Sequence, residues 1–222
     1  MSGLEKLNYL NRLWTPKPTA FQVAAMFAPH KEALFSGDAG AGKTEALLMS
    51  AFIETVEPNY EALLITRTYT QLLSLARRID QSLRGDDCHK IGEKLYRLSN
   101  NAKVRLAFID RSDECFRFDF AEFGFIGFDH LTSFALEDYL HLMSRLRLTP
   151  MKIRATAQGG GEWGTGWVAD YFATNSTTRL RLSMSVLENP HVSKEHAESL
   201  KRLVWPNTKP ASSAATASVA HK

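Results

Sequence analysis

The chain has 222 residues, 44% hydrophobic and 23% charged, with a formal net charge of +3. That size and balance fit one α/β domain with a sizeable core and exclude a disordered or fibrous chain. No run approaches the ~20 apolar residues of a membrane-spanning helix, and MSGLEKLNYLNRLW at the start lacks the apolar core of a secretion signal.

TAFQVAAMFAPH (19–30) has helical apolar spacing and stops near Pro29. EALFSG (32–37) reads as a short strand entering a glycine-rich turn, and KTEALLMSAFIETV (43–56) as a helix ended before Pro58. EALLITR (61–67) predicts a buried strand, and TQLLSLARRIDQSL (70–83) has a helical period. KVRLAFID (103–110) and CFRFDF (115–120) alternate like paired strands. FGFIGFD (123–129) is an almost wholly apolar strand ending in an acid, and ALEDYLHLMSRL (135–146) is an amphipathic helix. MKIRATA (151–157) predicts a strand, GTGWVADYFA (164–173) a turn into a helix, RLRLSMS (179–185) a last strand and SKEHAESLKRLVW (193–205) a last helix. Strands alternating with helices imply βαβ units: an α/β fold with a mostly parallel central sheet flanked by helices. Three segments follow: an N-terminal stretch over 1–18, the domain over 19–209, and a small, polar tail over 210–222 expected to be disordered.

GDAGAGKT (37–44) fits G-x-x-x-x-G-K-[ST] in full, between a predicted strand and a predicted helix. Gly37, Gly40 and Gly42 let the backbone turn sharply, so that N–H groups from Asp38, Ala39 and Ala41 onward converge on phosphate oxygens. Lys43 adds a charge near the β and γ phosphates, Thr44 offers a hydroxyl to Mg²⁺, and the following helix presents its positive end to the same anion. ATP with Mg²⁺ is the ligand this pattern implies. A P-loop ATPase also needs a carboxylate beside the metal at the end of a neighbouring strand, and Asp129 supplies one.

Cys88 and Cys115 lie 27 residues apart with no CxxC, which argues against a disulfide framework or a zinc cluster and suits a reducing compartment. The histidines show no metal-binding spacing, so no metal beyond Mg²⁺ is expected. Charge is uneven: residues 144–209 carry ten Lys/Arg against five Asp/Glu, while residues 1–143 carry sixteen against nineteen. A basic second part can face a polyanion or be an ordinary solvated surface.

GFDHLTSFALEDYLHLMSRLR (127–147) resembles the Walker B region of phage terminase large subunits. IRATAQGGGEWGTGWVADYF (153–172) resembles that family's motif III, and LENPHVSKEHAESLKRL (187–203) its later Asn-Pro segment and helix. The resemblance spans roughly residues 19–205. It implies an ASCE-type P-loop ATPase domain of the motor that translocates double-stranded viral DNA into a prohead. It further implies a homo-oligomeric ring, a terminase small subunit and a portal protein as partners, no membrane, and a place in the host cytoplasm, transiently at the prohead portal. Family members add a nuclease domain rich in acids. The 17 residues after Trp205 contain no Asp or Glu, so no nuclease activity is expected, whether the chain is a motor domain alone, a truncated product or half of a split protein.

In the family, a glutamate after the Walker B aspartate polarises the attacking water, and here that residue is His130. An imidazole can accept a proton and orient water but lacks the carboxylate's charge and geometry. Hydrolysis is therefore either carried by His130 or impaired, and the impaired case makes the chain a nucleotide-binding module with a regulatory or assembly role. Motif III, which couples γ-phosphate state to movement, corresponds to Thr156, Ala157 and Gln158, with Gln158–Gly159 in place of Asn-Pro. Gln22 lies in a segment resembling the family's adenine-reading glutamine motif, and a carboxamide can pair with adenine through one donor and one acceptor. Arg145, Arg147 and Arg117 are candidate arginine fingers for a neighbouring subunit, and Arg67 resembles the arginine opening the family's Arg-Thr segment. Asp38 stands where many relatives have a basic residue. Trp163 and Trp167 suit core or hinge packing.

Overall fold

The computed structural model describes residues 1–157 and 166–203. Its helices are α1 (Gly3–Leu13), α2 (Ala20–Phe27), α3 (Lys43–Ile53), α4 (Tyr69–Ser82), α5 (Leu136–Met143), α6 (Trp167–Tyr171) and α7 (Lys194–Leu203). Its strands are β1 (Glu32–Gly37), β2 (Glu61–Thr66), β3 (Cys88–Ile91), β4 (Leu95–Leu98), β5 (Lys103–Phe108), β6 (Phe125–Phe128), β7 (Lys152–Thr156) and β8 (Arg179–Met184). They form one sheet in the order β3-β4-β5-β2-β6-β7-β1-β8. β5, β2, β6, β7, β1 and β8 run parallel, and β3 and β4 add an antiparallel edge. This is the expected α/β architecture with a mostly parallel sheet. Among the described residues, no helix is long and apolar enough to cross a membrane.

The continuous apolar runs of the central strands follow from burial on both faces. On β2, Ala62 and Leu64 pack with α1, α3 and α4, while Leu63 and Ile65 join the opposite layer of α5 and α6. Trp167 belongs to that second layer: its ring packs tilted against Tyr139 and edge-on against Tyr171, and it donates its indole N–H to the carbonyl of Phe134 at 2.8 Å.

One expectation is corrected. CFRFDF forms no strand, because residues Ser112–Phe118 make a 3₁₀ helix. Cys115 and Phe118, three apart, face the core while Phe116 and Arg117 face outward. A three-residue repeat over so short a stretch imitates alternation. The strand KVRLAFID does form, but it pairs with β2 and β4 instead. The charge count of residues 144–209 is also not one surface. Arg154 is fully buried on β7, and its guanidinium donates to the carbonyls of Ala28 (2.8 Å) and His30 (3.1 Å), where α2 hands over to β1.

Residues 1–18 carry α1, whose Leu10 and Leu13, with Trp14 after them, lie in the core beside α3. A buried ion-pair network fastens it. The Glu54 carboxylate, 1% exposed, receives Lys6 of α1 at 2.7 Å and Lys152 of β7 at 2.6 Å. Burial pushes the Glu54 carboxyl upward, but the two ammonium groups prevail and hold it below its ordinary value. A depressed carboxylate contributes stability above its unfolded pKa and loses it as pH falls through the folded one. Removing one member of a buried pair leaves the others uncompensated, typically at about 3–5 kcal/mol. Glu54→Gln is therefore expected to lower unfolding free energy by about 3 kcal/mol at neutral pH, with the difference from wild type shrinking as acid protonates Glu54. Chemical denaturation at several pH values measures both.

Candidate nucleotide-binding site

At the carboxyl end of β1 the chain turns through Gly37, Gly40 and Gly42, all with positive φ (119°, 76° and 88°). A Cβ on Gly37 falls 2.1 Å from the carbonyl oxygen of Met184, so no side chain fits there. Gly42 caps α3 in the left-handed region, and the eleven-residue helix points its amino end into the loop. Lys43 Nζ donates to the carbonyls of Gly37 (2.9 Å) and Asp38 (2.6 Å), which span the loop's entrance. Burial pulls the Lys43 ammonium below its ordinary pKa, with Asp38 and Asp129 opposing. A phosphate brought into the loop supplies the counter-charge that burial lacks.

Asp129 follows β6, two strands from β1 with β7 between. It is 8% exposed, and its Oδ1 accepts from the hydroxyls of Thr44 (3.2 Å) and Thr156 (2.8 Å). These are hard oxygen donors of the kind Mg²⁺ takes alongside water and phosphate, so Thr44 and Asp129 fit the ion. Thr156, at the end of β7, also accepts the backbone N–H of His130 at 2.8 Å. His130 has φ 60°, a left-handed conformation that non-glycine residues seldom adopt but histidine tolerates better than most. It lines a cavity of about 690 Å³ together with Ala39–Thr44, Thr156 and Gln22. Ala157 is buried and bonds to the carbonyl of Phe35 on β1. Gln158 and Trp163 lie outside the described residues.

The structure thus gathers Gly37–Thr44, Asp129, His130, Thr156 and Gln22 at one end of the sheet. The proposed arginines are elsewhere. Arg145 and Arg147 pair through their backbones with Phe123, before the start of β6 and so at the end away from Asp129. Arg117 is exposed, bonds to the carbonyl of Phe108 and lies over the Phe118 ring at 5.0 Å. Arg67 donates to the carbonyl of Ile109 at 2.8 Å.

Two residues carry tasks that local sequence does not announce. Asp38 accepts from the N–H of Val186 at 3.1 Å, and Asn189 donates to the carbonyl of Gly40 at 2.7 Å, so the segment after β8 is tied to the loop from both sides. Asn189 was visible within the Asn-Pro segment, but its partner 149 residues away was not. Arg78, Gln81, Glu45, Pro16 and His191 also line the cavity and carry no motif signal.

A P-loop before a helix, facing a carboxylate two strands away in a parallel sheet, defines the fold class of ASCE P-loop NTPases. No protein-family model and no curated protein sequence matches the chain. Solved structures do. The Thermus phage P74-26 large terminase ATPase domain superposes with a TM-score of 0.64 at 15% identity, covering 92% of each chain. The large terminase of a thermophilic bacteriophage, in complex with ATP-γ-S, gives 0.64 at 14% identity over 83% of this chain and 49% of that one. The same thermophilic-phage protein in complex with ADP gives 0.65 at 14% identity, over 84% and 50%. The fold is that of these ATPase domains, and the chain spans about half the length of the nucleotide-bound large terminase.

Thr156→Val keeps the side-chain volume while removing the hydroxyl shared by Asp129 and the His130 N–H. A buried group left without its partner costs about 1–3 kcal/mol. The expected result is a stability loss of about 1–2 kcal/mol by denaturation, with Mg²⁺-dependent nucleotide binding weakened more than Mg²⁺-free binding in calorimetry.

Proposed function

We propose that the chain is an ATP-binding and hydrolysing motor domain that moves double-stranded viral DNA into a prohead, working as a homo-oligomeric ring with a terminase small subunit at the portal in the host cytoplasm. The carrying observation is the Thr44–Asp129–Thr156 cluster beside an intact phosphate loop, in a sheet that superposes on large terminase ATPase domains. The loop N–H groups receive the phosphates, and Lys43 exchanges its two carbonyl partners for phosphate oxygens. Thr44 and Asp129 would hold Mg²⁺, which would supply charge neutralisation at the β and γ phosphates. Thr156 bridges Asp129 to the backbone of His130, so a change at the γ-phosphate reaches β7, the strand that leads into residues 157–158. An arginine from a neighbouring subunit, with Arg145, Arg147 and Arg117 as candidates, completes the charge compensation.

A second reading is favoured by one residue. His130 lines the cavity where a carboxylate base is expected, which suits a nucleotide-binding module that hydrolyses slowly and acts in regulation or assembly.

Steady-state ATP hydrolysis with and without double-stranded DNA tests the pair. A positioned general base is worth ~10²–10⁴-fold. His130→Glu is expected to raise kcat at least tenfold with little change in nucleotide affinity, its fold checked by melting temperature because glutamate is less at ease at that φ. Brisk wild-type turnover that His130→Glu leaves unchanged sinks the impaired reading. The motor reading also expects weak, sequence-independent DNA binding that falls steeply with salt. Binding unchanged between low and high salt, or none even at low salt, counts against it.

A further inference from the structure

The cavity has a wall to which the motor reading gives no task. α4 turns Arg78 and Gln81, three residues apart and hence on one face, into it beside Pro16. Both side chains are exposed, and neither has a hydrogen bond, ion pair or ring contact with another described residue.

Their position along the cavity follows from their neighbours. Ser82, next to Gln81, and Trp14, two residues before Pro16, both donate to Glu45 Oε1, at 3.3 Å and 2.8 Å. Glu45 is the third residue of α3, so the wall stands against the first turn of that helix. In a P-loop the N–H groups of the loop and of the helix start it runs into meet the phosphates, with the lysine and the metal toward β and γ. Asp129, His130 and Thr156 gather at that second end. A nucleotide whose γ-phosphate lies at that second end has room for its nucleoside on the side of Pro16, Arg78 and Gln81.

Gln22, the residue expected to read adenine, is 5% exposed and engaged at both ends of its amide. Its Oε1 accepts the N–H of Thr19 at 2.9 Å in the capping box of α2, and its Nε2 donates to the carbonyl of Gly42 at 3.3 Å. Its amide braces α2 against the phosphate loop.

We propose that Arg78 and Gln81 are the nucleoside-binding residues of this site, holding the ribose and base of the nucleotide. The inference rests on the phosphate loop being a nucleotide site. A guanidinium is planar, presents five donors and stacks on flat rings, and a carboxamide offers donor and acceptor together, a pair suited to a base edge and ribose hydroxyls.

Isothermal titration of the full chain with MgADP and with magnesium tripolyphosphate, which lacks ribose and base, is the test. Arg78→Ala and Gln81→Ala are each expected to weaken MgADP about tenfold (about 1.4 kcal/mol) while tripolyphosphate changes less than twofold. Arg77→Ala removes the same charge one residue earlier on α4, outside the cavity, and is expected to change neither. The proposal is overturned if MgADP binds both variants as it binds Arg77→Ala, or if tripolyphosphate affinity falls in parallel with MgADP. If tripolyphosphate binds too weakly to measure, the MgADP comparison with Arg77→Ala alone decides. Wild-type protein that binds neither ligand overturns the nucleotide-site reading itself, a separate outcome from failure of Arg78 and Gln81.

Discussion

One nearly buried carboxylate organises the carboxyl end of this sheet. Asp129 receives a hydroxyl from Thr44 at the start of α3 and another from Thr156 at the end of β7, while its own N–H bonds to the carbonyl of Ile65 on β2 at 2.9 Å. Elements from four places in the chain therefore meet at one residue. The geometry is stiff because each partner is held by its own strand or helix, and an ion taken between Thr44 and Asp129 finds its ligands already oriented. Thr156 extends the arrangement to the backbone of His130, so His130 and the end of β7 are joined to Asp129 through one hydroxyl.

The phosphate loop is held from its other side by the segment after β8. Asp38 brings a negative charge into a loop built for anions, which a simple electrostatic view disfavours. Its carboxylate accepts the N–H of Val186, and Asn189 takes the carbonyl of Gly40. The acid thus acts as a tether between the loop and the segment after β8.

Most of the fold was legible because central strands buried on both faces leave long apolar runs, and because the phosphate loop carries its own spacing. Asp129 was legible from the same run, FGFIGFD, ending in an acid. Ser112–Phe118 was misread because a 3₁₀ repeat over seven residues resembles strand alternation. The β3–β4 hairpin went unseen because it is a sheet edge with much of its surface in solvent and little apolar contrast. At the site, Gln22 was expected to read adenine, and the engagement of its amide by Thr19 and Gly42, which depends on packing of α2 against α3, has no mark in the local sequence. Arg78 and Gln81 escaped notice because a helix surface arginine has no local mark, and only the fold turns that face toward the cavity.

The account stands on the phosphate loop being a working anion site, and thermal or chemical unfolding with MgATP measures that directly. A ligand that binds only the native state at a hundred times its dissociation constant stabilises by about 2.7 kcal/mol. Wild-type protein is predicted to gain stabilisation of that order with saturating MgATP, and Lys43→Ala to gain almost none. A wild-type protein whose unfolding is unmoved by MgATP, or a Lys43→Ala variant stabilised as strongly as wild type, contradicts the account.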